Sequence, residues 1–242
     1  MRIIKLDAID STNDYLKQLS KESDLENYTI VMANQQTKGK GQMGAKWLSE
    51  IGKNLTMSIL VNQFPASRTN IFDLNIATAL AVTTVLKNSG VPNVFVKWPN
   101  DIMADSKKVA GILIENSLKS DGSFTAVVGI GLNLNQVDFE FLPQASSLQC
   151  ITGKTYDLEE IAVYLRNSLV ENLQMLDKKS DLLWEEYHNS IYKLKSPSAF
   201  EDKVGQRFMG IIQKVARDGK LHVLLEDDST AHYEVKEIKM LF

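Results

Sequence analysis

Hydrophobic and polar positions along this chain change period several times, and each change marks an element. From Asp157 to Leu176 the apolar residues Leu158, Ile161, Leu165, Leu169, Leu173 and Leu176 recur every three or four positions. That period predicts an amphipathic helix, with Asp157 and Glu160 as its start signal. Ile71–Ser89 carries a second stripe, Phe72, Ile76, Leu80, Val85 and Leu86, ended by Gly90 and Pro92. Shorter helices are predicted at about Asp14–Leu19, capped by Ser11, and at about Asp181–Tyr192, which buries Trp184, Tyr187 and Ile191. Runs of β-branched and apolar residues predict strands at Ile3–Leu6, Tyr28–Ala33, Leu55–Val61, Val94–Val96, Val109–Glu115 and Phe124–Asn135. The last runs into a glycine turn at Gly129 and Gly131. Asp105-Ser106 supplies a turn before Val109.

After residue 195 the pattern becomes one of short strands only. Ser196-Pro197-Ser198 reads as a linker, followed by strands at Arg207–Ala216, Leu221–Leu225 and Ala231–Val235. Asp218-Gly219 is a hairpin signal between the first two. The chain therefore divides into an α/β (α+β) part, residues 1–195, and a small all-β module, residues 196–242. A module of this size is marginal alone and is expected to dock on the larger part.

Composition narrows the functions. Of 242 residues, 44% are hydrophobic and 24% charged, with a formal net charge of −3, which argues against wholesale nucleic-acid binding. The single cysteine, Cys150, allows no intrachain disulfide, and no apolar run reaches the length of a membrane span. A cytoplasmic location follows as the expectation. His188, His222 and His232 are scattered, and no zinc-ligand spacing occurs. Any metal is expected to be Mg²⁺ arriving with a nucleotide.

Two stretches carry candidate chemistry. Lys97-Trp98-Pro99-Asn100-Asp101 places a lysine at a strand end beside a turn, a fixed positive charge for phosphate or carboxylate. Gln35–Trp47 holds three glycines and three lysines without apolar period, which predicts a mobile loop. Gly39, Gly41 and Gly44 match G-x-G-x-x-G, yet no helix follows and no acidic residue stands about 20 positions on, so the dinucleotide reading fails. A basic loop that wraps an anion remains, with an indole for stacking on a base.

Taken together, these residues resemble the biotin protein ligase family. The matches are Asp10-Ser11-Thr12-Asn13, the glycine-rich loop ending in Trp47, Lys97–Asp101, Lys108–Glu115 (KVAGILIE) and Gly129–Asn133 (GIGLN), in the family's order. The resemblance implies an α/β catalytic domain on a mixed sheet with a C-terminal SH3-like module, and the short class without an N-terminal DNA-binding domain. It implies ATP and biotin as substrates with Mg²⁺, a biotinyl-5′-adenylate intermediate, and transfer to one lysine of a biotin carboxyl carrier protein. A homodimer is left open. Carried over by motif, Ser11, Thr12, Asn13, Gln36, Gly39, Lys40, Gly129 and Gly131 would line the biotin site. Gln42, Met43, Trp47, Lys97 and Asn133 would serve ATP. Lys97 and Lys40 would be the catalytic cations, and Asp101 a partner for Mg²⁺ or for the incoming lysine.

The departure is in the loop. The family pattern G-R-G-R-x-G-R-x-W has Lys40, Gln42 and Ala45 at its arginine positions here. A planar bidentate donor is not replaced by a point charge, nor by an amide or a methyl group. Weaker retention of the adenylate is the expectation. The rival readings are a lipoate–protein ligase, which shares fold and chemistry, and a non-catalytic biotin-binding protein.

Overall fold

The structure is a computed structural model that describes residues 1–65, 71–118 and 123–241. Seven strands form one mixed sheet: β1 (Ile3–Ile9), β2 (Ile30–Gln36), β3 (Leu55–Pro65), β4 (Val94–Lys97), β5 (Asp101–Ala104), β6 (Lys107–Leu118) and β7 (Ser123–Leu132). Their order is β1-β2-β3-β7-β6-β5-β4. Only β1 and β2 run parallel; every other neighbouring pair is antiparallel. Among the described residues four α-helices accompany them: α1 (Thr12–Glu22), α2 (Ile71–Asn88), α3 (Leu148–Thr152) and α4 (Leu158–Asn189). A second, antiparallel sheet is built from β8 (Pro197–Asp202), β9 (Arg207–Val215), β10 (Leu221–Leu225), β11 (Thr230–Tyr233) and β12 (Ile238–Met240), in the order β11-β10-β9-β8-β12.

The two faces of the large sheet separate by the alternation of a strand. Ile30, Met32, Met57, Ile59, Val128 and Ile130 point into the main core with the buried stripes of α2 and α4. Val31, Leu60 and Val127 point the other way and pack against Leu16 of α1. Along that second face the side chains then shrink. Cross-strand partners run from Leu60 and Val127 to Ser58 and Gly129, then to Thr56 and Gly131. The core gives way to a floor of bare backbone, because glycine lets groups from other elements approach the sheet closely there.

The smaller sheet shares the main core: Phe200, Ile212, Val215, Leu221, Val223, Ile238 and Met240 are buried in it. His188 on α4 lies 2.8 Å, through Nε2, from the Val215 carbonyl, and Trp98 donates Nε1–H to the Gly219 carbonyl at 2.9 Å.

Several expectations change. The two helices read at Asp157–Leu176 and Asp181–Tyr192 are one α4, interrupted at Lys179 (φ −146°, ψ 44°). Strand β5 follows the turn at Trp98–Asn100, where the sequence pattern predicted no strand between Val94–Val96 and Val109–Glu115. Gly129 and Gly131 lie inside a continuous β7 rather than in a turn. Pro197 opens β8 instead of forming a linker; proline is tolerated at a first strand position. β12 is a further addition. The Gln35–Trp47 loop is a small hairpin: β2 reaches Gln36, Lys40 bridges Lys46, and Trp47 N–H bonds the Gly39 carbonyl at 2.9 Å.

Candidate active site

The glycine floor forms the base of a cavity of about 610 Å³ between α1, the loop hairpin, the β4–β5 turn and the second sheet. One end is polar and uncharged. Ser11 caps α1 by accepting the Asp14 N–H, and Thr12 and Asn13 open the first turn. Thr12 donates its N–H (2.8 Å) and its hydroxyl (3.1 Å) to Gln36 Oε1. The buried Ser58 hydroxyl, on β3, stands 2.8 Å from Thr12 Oγ1 and 2.6 Å from Asn13 Oδ1. Asn13 Nδ2 donates to Glu115 at 3.0 Å, and Glu115 is paired with Lys17 at 3.3 Å. Thus both ends of the Asn13 amide are bound by protein, while its oxygen lies where a Gly129 side chain would be, under 3.0 Å from that Cβ. Ser11, Thr12, Asn13 and Gln36 all line the cavity, as do Gly129 and Gly131.

The middle of the cavity is covered by Trp47. Its ring lies over the Gly111–Gly131 cross-strand pair of β6 and β7. A Cβ on Gly131 would come under 3.0 Å from the indole, and one on Gly111 would meet it at 3.2 Å. Gly39 serves the same hairpin, since a Cβ there would strike the Trp47 carbonyl. Trp47 also borders a second cavity of about 300 Å³, lined by Asn133, Phe141, Leu142 and Ala145. Asn133 is buried and donates Nδ2–H to the Ser146 carbonyl at 3.0 Å. Gln42 lines the first cavity, whereas the side chain of Met43 lies outside the described residues.

The charged end holds Lys97, Asp101 and Lys108. Lys97 ends β4 opposite Asp101, which begins β5. Lys97 is 8% exposed, and burial holds its ammonium down to about 8; nearby Asp101 opposes this, while Lys108, Lys239 and Lys193 reinforce it. Lys108 on β6 forms an ion pair with Asp101 at 2.6 Å, and its ammonium stands 5.8 Å from the Trp47 ring centre. Lys108 and Asp101 border both cavities, and Lys97 only the larger one. Lys40 is tied to Asp14 at 2.6 Å.

Asp101, read as a candidate partner for Mg²⁺, is held by Lys108, and among the described residues no group of three His, Cys, Asp or Glu could hold a metal ion. A divalent cation here would be carried on nucleotide phosphates as part of the substrate. Lys108, Gly111, Ser58 and Glu115 are site residues that the sequence reading gave no role. The signal for Gly111 and Lys108 was there, inside the KVAGILIE match.

A mixed sheet with a glycine floor, below a cavity that runs from an uncharged polar end to a lysine-lined end, defines the class: an α+β protein with a site of small-molecule size. The sequence pattern of the Biotin/lipoate A/B protein ligase family matches residues 6–134, and the chain belongs to that family. It is 29% identical over 231 residues to the bifunctional ligase/repressor BirA of Escherichia coli, covering 92% of this chain and 68% of that protein. It is 28% identical over 215 residues to the biotin--[acetyl-CoA-carboxylase] ligase of Mycobacterium tuberculosis, covering 87% and 79%. The chain spans 54% to 68% of the length of four bifunctional ligase/repressor relatives. Among solved structures, biotin protein ligase from Aquifex aeolicus in complex with biotin and ATP superposes with a TM-score of 0.81 at 28% identity, over 99% of this chain and 98% of that one.

Proposed function

We propose that this protein is an ATP-dependent biotin–[biotin carboxyl carrier protein] ligase. The observation that carries the reading is the place of Lys108. It stands where the larger, polar-ended cavity meets the second cavity, which is where a bond between an acid and a nucleotide phosphate would have to form. The uncharged end, Ser11, Thr12 and Gln36, suits a neutral ureido ring, which needs both donors and acceptors. The second cavity beside Trp47 and Asn133 suits the adenosine.

In the first step an oxygen of the biotin carboxylate attacks the α-phosphorus of ATP. The α–β phosphoanhydride bond breaks and pyrophosphate leaves. Negative charge concentrates on the α-phosphoryl oxygens, and Lys108 and Lys97, which both line the larger cavity, neutralise it. Lys40 reaches the phosphoryl region after exchanging Asp14 for phosphate. In the second step the ε-amine of a carrier lysine attacks the acyl carbon, an amide forms, AMP leaves and the amine gives up a proton. Asp101, which lines the cavity, is the proposed partner for that incoming amine. Residues 1–195 form the catalytic domain and 196–242 a C-terminal module, in a cytoplasmic enzyme whose partner is a carboxylase carrier protein.

The test is incubation with ATP, biotin and a carrier domain, followed by mass spectrometry. One biotinyl group on one lysine, with AMP and pyrophosphate in equal amounts, supports the reading. A lipoyl mark on offering lipoate, with none from biotin, would overturn it.

A further inference from the structure

We infer that Trp98 is a positioning residue through which the second sheet sets the geometry of the Lys97–Asp101–Lys108 cluster; this rests on the ligase reading above. The β4–β5 turn, Trp98-Pro99-Asn100, carries Lys97 on one side and Asp101 on the other. It is held from two directions. Toward β6, Asn100 donates Nδ2–H to the Ile112 carbonyl at 2.9 Å and accepts the Ile112 N–H at 3.0 Å. Away from the large sheet, the buried Trp98 donates Nε1–H to the Gly219 carbonyl at 2.9 Å.

Gly219 belongs to the β9–β10 turn, which is itself fixed. Its N–H bonds the Ala216 carbonyl at 2.8 Å, and its φ of +88° favours glycine. A Cβ there would come 2.7 Å from the Phe72 ring at the start of α2. Arg217 packs its guanidinium over Trp184 at 4.6 Å and pairs with Asp181, both on α4. The edge of β4 is closed as well: Val96 N–H bonds the Ser190 carbonyl and the Val96 carbonyl accepts the Tyr192 N–H, each at 2.8 Å. The indole bond thus ties the turn that bears the charges directly to the second sheet. Since Asp101 orients Lys108, a turn that shifts by a fraction of an ångström moves both the charge on the phosphate and its counter-ion.

The experiment compares Trp98→Phe, which keeps a ring and loses the donor, with the wild-type protein. Single-turnover formation of biotinyl-adenylate is measured beside the dissociation constants for biotin and ATP and the thermal midpoint. The expected result is a rate lowered about tenfold, with both constants within about twofold of wild type and a midpoint shift of a few degrees. Gly219→Ala, which displaces the acceptor from the other side, should give the same split, and the double variant should be no slower than the worse single one. An unchanged rate in Trp98→Phe overturns the inference, as does a rate loss matched by loss of ligand binding and of stability, or additive effects in the double variant. If wild type forms no adenylate, the ligase reading itself has failed, which is a separate outcome.

Discussion

Lys108 Nζ stands 2.6 Å from Asp101 Oδ1, so the cation at the junction of the two cavities is aimed by a carboxylate from the facing strand. Removing that cation should remove charge neutralisation without disturbing the core. Lys108→Met is expected to lower adenylate formation by about a hundredfold or more, and Lys108→Arg by less. Asp101→Asn should cost less than Lys108→Met and act mainly on the rate. Stopped-time assays of adenylate on the three variants check the order.

Lys97 should show activity and stability pulling apart. Its ammonium is charged in the unfolded chain up to about 10.5 and in the folded chain up to about 8. Below about 8 both states are protonated and the fold bears the full cost of a buried charge. Between about 8 and 10.5 the unfolded state binds the extra proton, so this group's contribution makes stability rise with pH. A shift of this size corresponds to a cost on the order of 3 kcal/mol. Lys97→Met should therefore be more stable than wild type in urea at pH 7, lack that rise, and adenylate biotin more slowly. A less stable variant would show that the charge is not strained.

Gly129 and Gly131 should fail in different ways. A methyl group on Gly129 strikes the Asn13 amide at the polar end, and one on Gly131 strikes the Trp47 indole. Gly129→Ala is expected to raise the dissociation constant for biotin about tenfold and spare ATP; Gly131→Ala, which displaces the Trp47 ring shared by both cavities, should weaken both ligands. Calorimetric titration with each ligand separates them.

The loop hairpin carries Gln42 and Ala45 where arginines would grip an adenylate. Biotinyl-adenylate should leave readily and acylate lysines of an unrelated protein. Ala45→Arg should slow that release several-fold and reduce labelling of added albumin, read by blotting.

Much of the scaffold was legible because its signals are local. The Leu158–Leu176 stripe and the capping Ser11 are readable from spacing, and both stand as read. What escaped depends on partners far along the chain. β5 and β12 are four and three residues long, and only pairing makes them strands. Gly129 and Gly131 read as a turn because sequence does not show that Asn13 and Trp47 fill the space above them. Lys108 was visible within a motif, but its position between two cavities is a tertiary fact. Trp98 carried no role in the sequence beyond its place in the Lys97–Asp101 motif, because its indole bonds a carbonyl 121 residues away.

The measurement that bears most directly on the central claim is ATP–pyrophosphate exchange, run with biotin and then with lipoate as the acid. The account predicts exchange with biotin, none with lipoate, and its collapse in Lys108→Met. Exchange with lipoate alone would contradict it, and so would a protein that binds biotin yet exchanges with neither acid.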